Sequence, residues 1–217
     1  MKLTWTKRFA FTTLFALLMG TAVAASADSL SGTLTVDNAF NLYLSTSPTG
    51  TGTLIASGSN WPAAISFSGV SLTPGTAYYL QVQAVNWSEW GGVLGSFNLS
   101  GGSLEFANGT QSLNTGTSDW NYSASGFGVS TGSPVSEGAN IGSTYPWSTD
   151  NGGPIAGISS NADWIWGYAS TGSDPGETEY FETEIYATPE PGTLFLLGTG
   201  LLGLACLTTR KFGSNNA

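Results

Sequence analysis

Two short stretches of the chain, NWSEWGG and TYPWSTD, combine aromatic and carboxylate side chains. Their members of interest are Trp87, Glu89, Trp90, Tyr145, Trp147 and Asp150. The flat ring of Trp or Tyr stacks on the C–H face of a sugar, while nearby carboxylates accept hydrogen bonds from its hydroxyls. Because binding residues concentrate in loops, these six residues form a candidate glycan-binding site, with extracellular polysaccharide as the expected partner.

Core packing is the competing explanation for the same tryptophans, since large aromatic side chains are highly buried on average. It applies most strongly to Trp164 and Trp166 of the segment DWIW. They stand two residues apart and therefore share one face of a strand.

Carboxylates near aromatic residues also allow two other kinds of chemistry. These carboxylates are Glu89, Glu105, Asp119, Asp150 and Asp163. A glycoside hydrolase needs two carboxyl groups that face each other across roughly 5 to 10 Å. No spacing in the sequence indicates such a pair, so hydrolysis is the lesser alternative and no catalytic residue is predicted.

Carboxylate oxygens also suit Ca²⁺, but no D-x-D-x-D-G loop occurs. Ca²⁺ binding is therefore a hypothesis from composition alone, and no other cofactor is expected.

The charge distribution excludes several classes of function. The five Lys and Arg residues all lie in the first eight or the last eight positions, and the chain has no His. All 14 Asp and Glu residues lie between positions 28 and 190, so that this body carries a formal charge of −14. Nucleic-acid binding needs Lys or Arg against phosphates, and a Ser-His-Asp site needs His. A zinc site is not expected, because the single cysteine is Cys206 near the C-terminus.

The segments that flank these loops have the pattern of short β-strands. Apolar residues alternate in NAFNLYLS, in YYLQVQAV (78–85) and in YFETEIY (180–186), and Gly, Pro, Asn and Ser separate such segments. Further strands are predicted at 31–36, 93–99 and 162–169. In LTPGT, Pro74 and Gly75 suit a type II turn. Many short strands with regular turn signals predict an all-β fold, an antiparallel β-sandwich or jelly roll.

The order of these segments resembles the galactose-binding-like jelly roll. The resemblance rests on NAFNLYLS, Trp61-Pro62, LTPGTAYYLQVQAVN, GGVLGSF, DWIW and the Tyr180-Phe181 pair. It spans roughly residues 30–187 and implies an accessory, non-catalytic sandwich in an exported protein.

The N-terminus has the three parts of a secretory signal peptide. A basic start (Lys2, Lys7, Arg8) precedes the apolar run FAFTTLFALLMGTAV, and Ala25-Ser26-Ala27 is a small-x-small cleavage site. We expect a signal helix over residues 1–27 that signal peptidase removes after Ala27, with cleavage after Ala24 as the second choice. An uncleaved anchor is the alternative, although the apolar run is short for a span.

The C-terminus combines Pro189-Glu190-Pro191, an apolar run over residues 193–209, and the basic pair Arg210-Lys211. This run of 17 residues is at the low end of the length that crosses a bilayer as a helix. The basic pair then predicts that the body lies outside the cytoplasm and that residues 212–217 form a short cytoplasmic tail.

These three ordered elements resemble the PEP-CTERM sorting signal of Gram-negative bacteria. In that family the Pro-Glu-Pro triplet is recognised by exosortase, a membrane protease-transpeptidase. The resemblance implies export across the inner membrane, transient anchoring there, and final location at the cell envelope, outer surface or extracellular matrix.

The sequence thus predicts a signal peptide (1–27), a β-sandwich domain (28–187), and a sorting signal with a transmembrane helix (188–211). The body is expected to be non-catalytic and to bind glycan, such as the exopolysaccharide of a biofilm. The alternative is a structural surface-coat or matrix protein without a specific ligand.

Overall fold

The computed structural model describes residues 27–87, 89–129, 132–169, 176–188 and 198–203. In these ranges the backbone is mostly extended, as the alternating segments predict. The strands are β1 (Asp28–Asp37), β2 (Ala39–Ser45), β3 (Thr53–Gly58), β4 (Ile65–Leu72), β5 (Tyr78–Asn86), β6 (Gly92–Ser100), β7 (Leu104–Phe106), β8 (Ser112–Asn114), β9 (Asn121–Ser123), β10 (Val135–Ala139), β11 (Asp163–Trp166) and β12 (Glu177–Ala187). One short helix, α1 (Trp147–Asn151), lies between β10 and β11, and residues 198–203 are helical.

The described strands form two antiparallel sheets of six strands each. The first sheet has the order β10-β11-β6-β1-β4, with β8 also paired to β6. The second has the order β3-β2-β5-β12-β7, with β9 also paired to β12. Residues from both sheets share one apolar core. The predicted all-β sandwich is therefore confirmed.

The two clearest alternating segments pair with each other at the centre of the second sheet. Leu80, Val82 and Ala84 of β5 are fully buried, as are Phe181 and Ile185 of β12. In the β5–β12 register Phe181 lies opposite Val82. The period-2 pattern thus predicted both strands and their inward faces correctly.

Several strands were absent from the sequence prediction. β3 and β4 are edge strands whose side chains are mostly exposed or half-buried, so they lack a clear alternation of apolar and polar residues. β7, β8 and β9 have only three residues each, and such short segments carry little periodic signal.

Two local predictions need correction. The strand expected over residues 162–169 covers only Asp163–Trp166, because the Gly167 amide donates to the Glu179 carboxylate at 2.9 Å. The segment TYPWSTD is not a simple loop, since α1 begins directly after Pro146. The turn at Gly75 is confirmed, with φ of +76° and a 3.2 Å hydrogen bond from the Thr76 amide to the Thr73 carbonyl.

A second apolar cluster covers part of the outer face of the first sheet. Its buried members are Leu94, Trp147, Ile155, Ile158, Ala162 and Trp164. Neighbouring residues of β6 belong to different cores: Val93 packs in the core between the sheets, and Leu94 packs in the outer cluster. This outer cluster anchors α1 and the segment before β11 against the sandwich.

The buried residues of both cores lie between Leu30 and Ile185. Five of the six helical residues at 198–203 are exposed and none belongs to either core. All of the described strands and both cores lie within residues 27–188, so we expect this segment to fold on its own.

The predicted signal peptide and the predicted sorting signal fall largely outside the described residues. These include Ala25, Pro189, Glu190, Pro191, Arg210 and Lys211, together with the signal helix and most of the apolar run at 193–209. Among the described residues, no helix has the length and apolar character that crossing a membrane requires.

Candidate functional site

The candidate site lies at one end of the sandwich, where β1 ends, β5 ends and β6 begins. Asp37 lies opposite Gly92 in the β1–β6 register, which places both at this end. Two loops meet there. The loop after β5 brings Glu89 and Trp90, the turn into α1 brings Pro146, and α1 itself brings Asp150.

These residues line a cleft of about 130 Å³. Asp37 and Asn38 form its inner wall, and Trp61 from the β3–β4 connection completes it. The Asp37–Asn38 and Tyr145–Pro146 peptide bonds that flank it are both cis. The lining of the cleft extends from Asp37 to Asp150, so it brings together side chains that are more than 100 residues apart in the chain.

A continuous series of aromatic rings leads from the outer core to the surface of this cleft. The Trp147 ring stacks on Trp164 with centroids 4.3 Å apart and an angle of 12° between the planes. Trp90 contacts Trp147 edge-on at 6.5 Å and Tyr145 edge-on at 5.6 Å. Such offset or edge-on pairs are favourable arrangements for aromatic rings. They hold Trp90 in a defined position at the cleft.

The glycine pair that follows Trp90 permits this packing. A Cβ atom at Gly92 would lie 2.6 Å from the Trp147 ring and 2.8 Å from the Trp164 ring. At Gly91 it would lie 2.4 Å from the Trp166 ring. Indole rings confined in a core cannot move aside, so glycine is required at both positions.

Asp37 is the buried polar anchor of the cleft. Its Oδ2 accepts a 3.0 Å hydrogen bond from Trp147 Nε1, and its Oδ1 accepts a 2.7 Å bond from Asn38 Nδ2. Burial raises the pKa of Asp37 from 3.8 to about 6; the Trp147 hydrogen bond opposes this shift and the nearby Glu89 charge adds to it. The carboxyl group thus holds the outer tryptophan layer to the end of β1.

Side-chain hydrogen bonds shape the loop after β5. The Trp87 amide donates to Asn38 Oδ1 at 2.6 Å, and Asn86 Nδ2 donates to the Glu89 carbonyl at 3.2 Å. Glu89 has φ of +62°, a conformation that non-glycine residues adopt rarely. The loop is thereby turned so that Trp87 and Glu89 are exposed beside the half-buried Trp90.

The six predicted site residues therefore occupy one region but differ in accessibility. Trp87 is 57 % exposed and Tyr145 is 62 % exposed, so both present ring surface to solvent. Glu89 and Asp150 are exposed at the cleft. Trp147 is fully buried, so it can support the cleft but has no ring face free for a ligand.

The remaining aromatic and carboxylate candidates lie elsewhere. Trp120 and Trp166 are buried in the core between the sheets and Trp164 in the outer cluster. The prediction of core packing is therefore confirmed, but the expectation that Trp164 and Trp166 pack on one face is wrong. Asp163 accepts a 2.9 Å hydrogen bond from the Ser136 hydroxyl. Asp119 lines a separate cleft beside Glu182 and Glu184 on the second sheet.

Four residues that line the cleft were not predicted as site residues, namely Asp37, Asn38, Trp61 and Pro146. Trp61 appeared only within the jelly-roll resemblance. The acid–amide pair at the end of β1 carries no local signal, because its role depends on the crossing of the chain from one sheet to the other. Within the described parts of the chain, no group of three or more Asp, Glu, His or Cys residues is arranged to hold a metal ion.

Comparison with known proteins identifies one segment of the chain. Residues 187–211 match the PEP-CTERM protein-sorting motif. No curated protein and no solved structure matches the chain, so the galactose-binding-like resemblance of the body stays a prediction beyond the sandwich itself. The motif supports the expectation that this is an exported protein, sorted by exosortase, that associates with the envelope or surface.

Proposed function

We propose that the sandwich is a non-catalytic glycan-binding module carried by an exported, exosortase-sorted protein. The observation that carries the proposal is the meeting of two loops, distant in sequence, around the cleft. Exposed rings at Trp87 and Tyr145 and the half-buried ring of Trp90 stand there beside Glu89 and Asp150. Stacking surface next to hydroxyl-binding groups is what recognition of a sugar requires.

The size of the cleft indicates how a ligand would lie. Pockets that enclose a drug-sized ligand have volumes of about 300 to 1,000 Å³, whereas this cleft has about 130 Å³. A glycan would therefore rest across the exposed rings and insert only part of one sugar. Such a site suits a segment or an end of a long polysaccharide.

The charge of the body narrows the class of glycan. Asp37, Glu89 and Asp150 all line the cleft, and the chain has no Lys, Arg or His between positions 9 and 209. Carboxylate groups of an acidic polysaccharide would meet repulsion with no compensating cation. Neutral or amino-sugar polymers are the expected ligands.

Affinity electrophoresis through gels that contain a neutral polysaccharide tests this function. The Trp87→Ala and Trp90→Ala variants of residues 27–188 should lose retardation, because each removes ring surface at the cleft. Tyr186→Ala is the matched control, since Tyr186 is 45 % exposed on β12, outside the cleft. Retardation that survives both tryptophan substitutions would exclude this cleft as the binding site.

A carboxylate-only glycoside hydrolase is the second candidate, and the raised pKa of Asp37 beside Glu89 favours it. A carboxyl group with a raised pKa can act as a general acid. However, both Asp37 oxygens already accept hydrogen bonds from Trp147 and Asn38, which favours a structural role. Turnover of a chromogenic glycoside that disappears in Glu89→Gln would support hydrolysis.

A further inference from the structure

One continuous stretch of the body carries no charged side chain. No Asp, Glu, Lys or Arg occurs from Asn38 to Ser88, although the body holds 14 carboxylates. This stretch supplies β3, β4 and the hairpin loop at 46–52. We call these three segments the neutral edge.

The neutral edge consists of two strands that are each paired on one side only within the described residues. β3 pairs with β2, and β4 pairs with β1. Their other sides therefore present backbone N–H and C=O groups that can bond to a further strand. Proteins usually protect such edges with charged side chains.

The opposite edges of the same two sheets have that protection. β10, at the far edge of the first sheet, carries Glu137, and its neighbour β11 carries Asp163. β7, at the far edge of the second sheet, carries Glu105. β3 and β4 differ from β7 and β10 in carrying no charged side chain, and they are longer than β8 and β9, the uncharged strands of three residues each.

The neutral edge also exposes apolar surface. Leu54 on β3 is 53 % exposed and Ile65 on β4 is 37 % exposed. Between the two strands an open groove of about 700 Å³ is lined by Leu44, Ile55, Val70 and Tyr78, together with the hairpin loop. An extended strand at this edge would satisfy the backbone groups and cover the apolar side chains.

We propose that the neutral edge is the surface through which a second copy of this chain docks, by antiparallel pairing of edge strands. Every side chain that carries charge in the body is negative, so two copies repel each other wherever their carboxylates come close. Glu182 and Glu184 extend this charge to the cleft on the second sheet. The neutral edge is where two bodies can meet without bringing carboxylates together.

Identical neutral strands are complementary to each other in the way that a two-fold dimer requires. Antiparallel pairing of β4 with its own copy would align about eight residues a side, roughly 26 Å of ladder. The glycan cleft uses Glu89, Trp90 and Asp150, which are outside the neutral edge. Assembly through this edge would therefore leave the cleft of each copy open, and linked copies would bind a polymer more tightly than single ones.

Sedimentation equilibrium of residues 27–188 over an about 100-fold range of concentration tests the proposal. We expect reversible self-association that becomes stronger when ionic strength rises to about 0.5 M, because salt screens the repulsion between the acidic bodies. Leu54→Glu or Ile65→Glu adds a carboxylate to the neutral edge of each copy, so that two such edges repel each other. Each substitution should weaken association at least about tenfold. Circular dichroism checks that each variant stays folded.

Val135→Glu is the matched control, because Val135 is 38 % exposed at the opposite edge of the first sheet. It should leave association unchanged. A chain that is monomeric at every concentration and salt overturns the proposal. Association that survives Leu54→Glu and Ile65→Glu together, or that is lost in Val135→Glu instead, overturns it equally, since a different surface would then hold the copies together.

Discussion

Replacing Asp37 with Asn should change how the stability of the sandwich depends on pH. The pKa of Asp37 is raised in the folded protein from 3.8 to about 6, first because the group is buried. Between these two values the folded state binds more protons than the unfolded state, so the folded state loses stability as pH rises. A difference of about two pH units corresponds to about 3 kcal/mol.

The stability that Asp37 supplies is thus fully present below about pH 3.8 and is lost as pH rises through about 6. Asn has a similar shape and can still accept the Trp147 Nε1 hydrogen bond, but it does not titrate. The free energy of unfolding of the wild type, minus that of Asp37→Asn, should therefore fall by about 3 kcal/mol between pH 3.5 and pH 7.5.

Urea denaturation of residues 27–188 at a series of pH values measures this difference. Other carboxylates titrate in both proteins, so their effects largely cancel in the subtraction. Trp147→Phe supplies a second measurement, because it removes the hydrogen bond that lowers the pKa of Asp37 and should move the fall to higher pH. A difference that stays constant across the whole range would refute the burial argument for Asp37.

Two further substitutions test the packing and the buried polar groups. Gly92→Ala should destabilise the fold by about 1–3 kcal/mol, because the added Cβ would lie 2.6 Å from the Trp147 ring, whereas Gly116→Ala has no heavy atom within 4 Å and should be near neutral. Equal denaturation midpoints for both variants would contradict the tight contact at Gly92. Glu182→Gln should stabilise the fold at pH 8 by about 1 kcal/mol, because burial raises the pKa of Glu182 although hydrogen bonds from Gln81 and Gly128 oppose the shift. Among the described residues, Oε2 of Glu182 and Oε1 of its register partner Gln81 have no hydrogen-bond partner. An amide at this position can donate to Gln81. The gain should shrink in the same denaturation assay at pH 4, where the protonated carboxyl of Glu182 can donate too, and a gain that is equal at both pH values would contradict this explanation.

The sequence predicted those strands whose apolar side chains recur at every second position. β5 and β12 are of this kind, because each turns apolar side chains into the core and carries mainly polar side chains on its other face, including the buried Gln81 and Glu182. The same pattern is weak in β3 and β4, where most side chains are only partly buried. Edge strands form because a neighbouring strand supplies hydrogen bonds, and that neighbour is distant in the sequence.

The residues of the candidate site were predictable from residue type, but their exposure was not. Residue type alone indicated Trp87, Glu89, Trp90, Tyr145 and Asp150, and the structure places all five around one end of the sandwich. Trp147 has the same residue type, but stacking on Trp164 buries it completely. Exposure depends on which elements pack over a side chain, and local sequence does not contain that information.

Composition and local pattern determined the acidic, all-β character of the body and its sorting motif, because charge count, alternation and an ordered terminal motif are properties of the chain itself. Tertiary structure alone decided that the end of β1 meets two distant loops, that Asp37 is buried against Trp147, and that β3 and β4 lie side by side at an uncharged edge. These are relations between segments separated by tens of residues. They arise only when the two sheets pack and share a core.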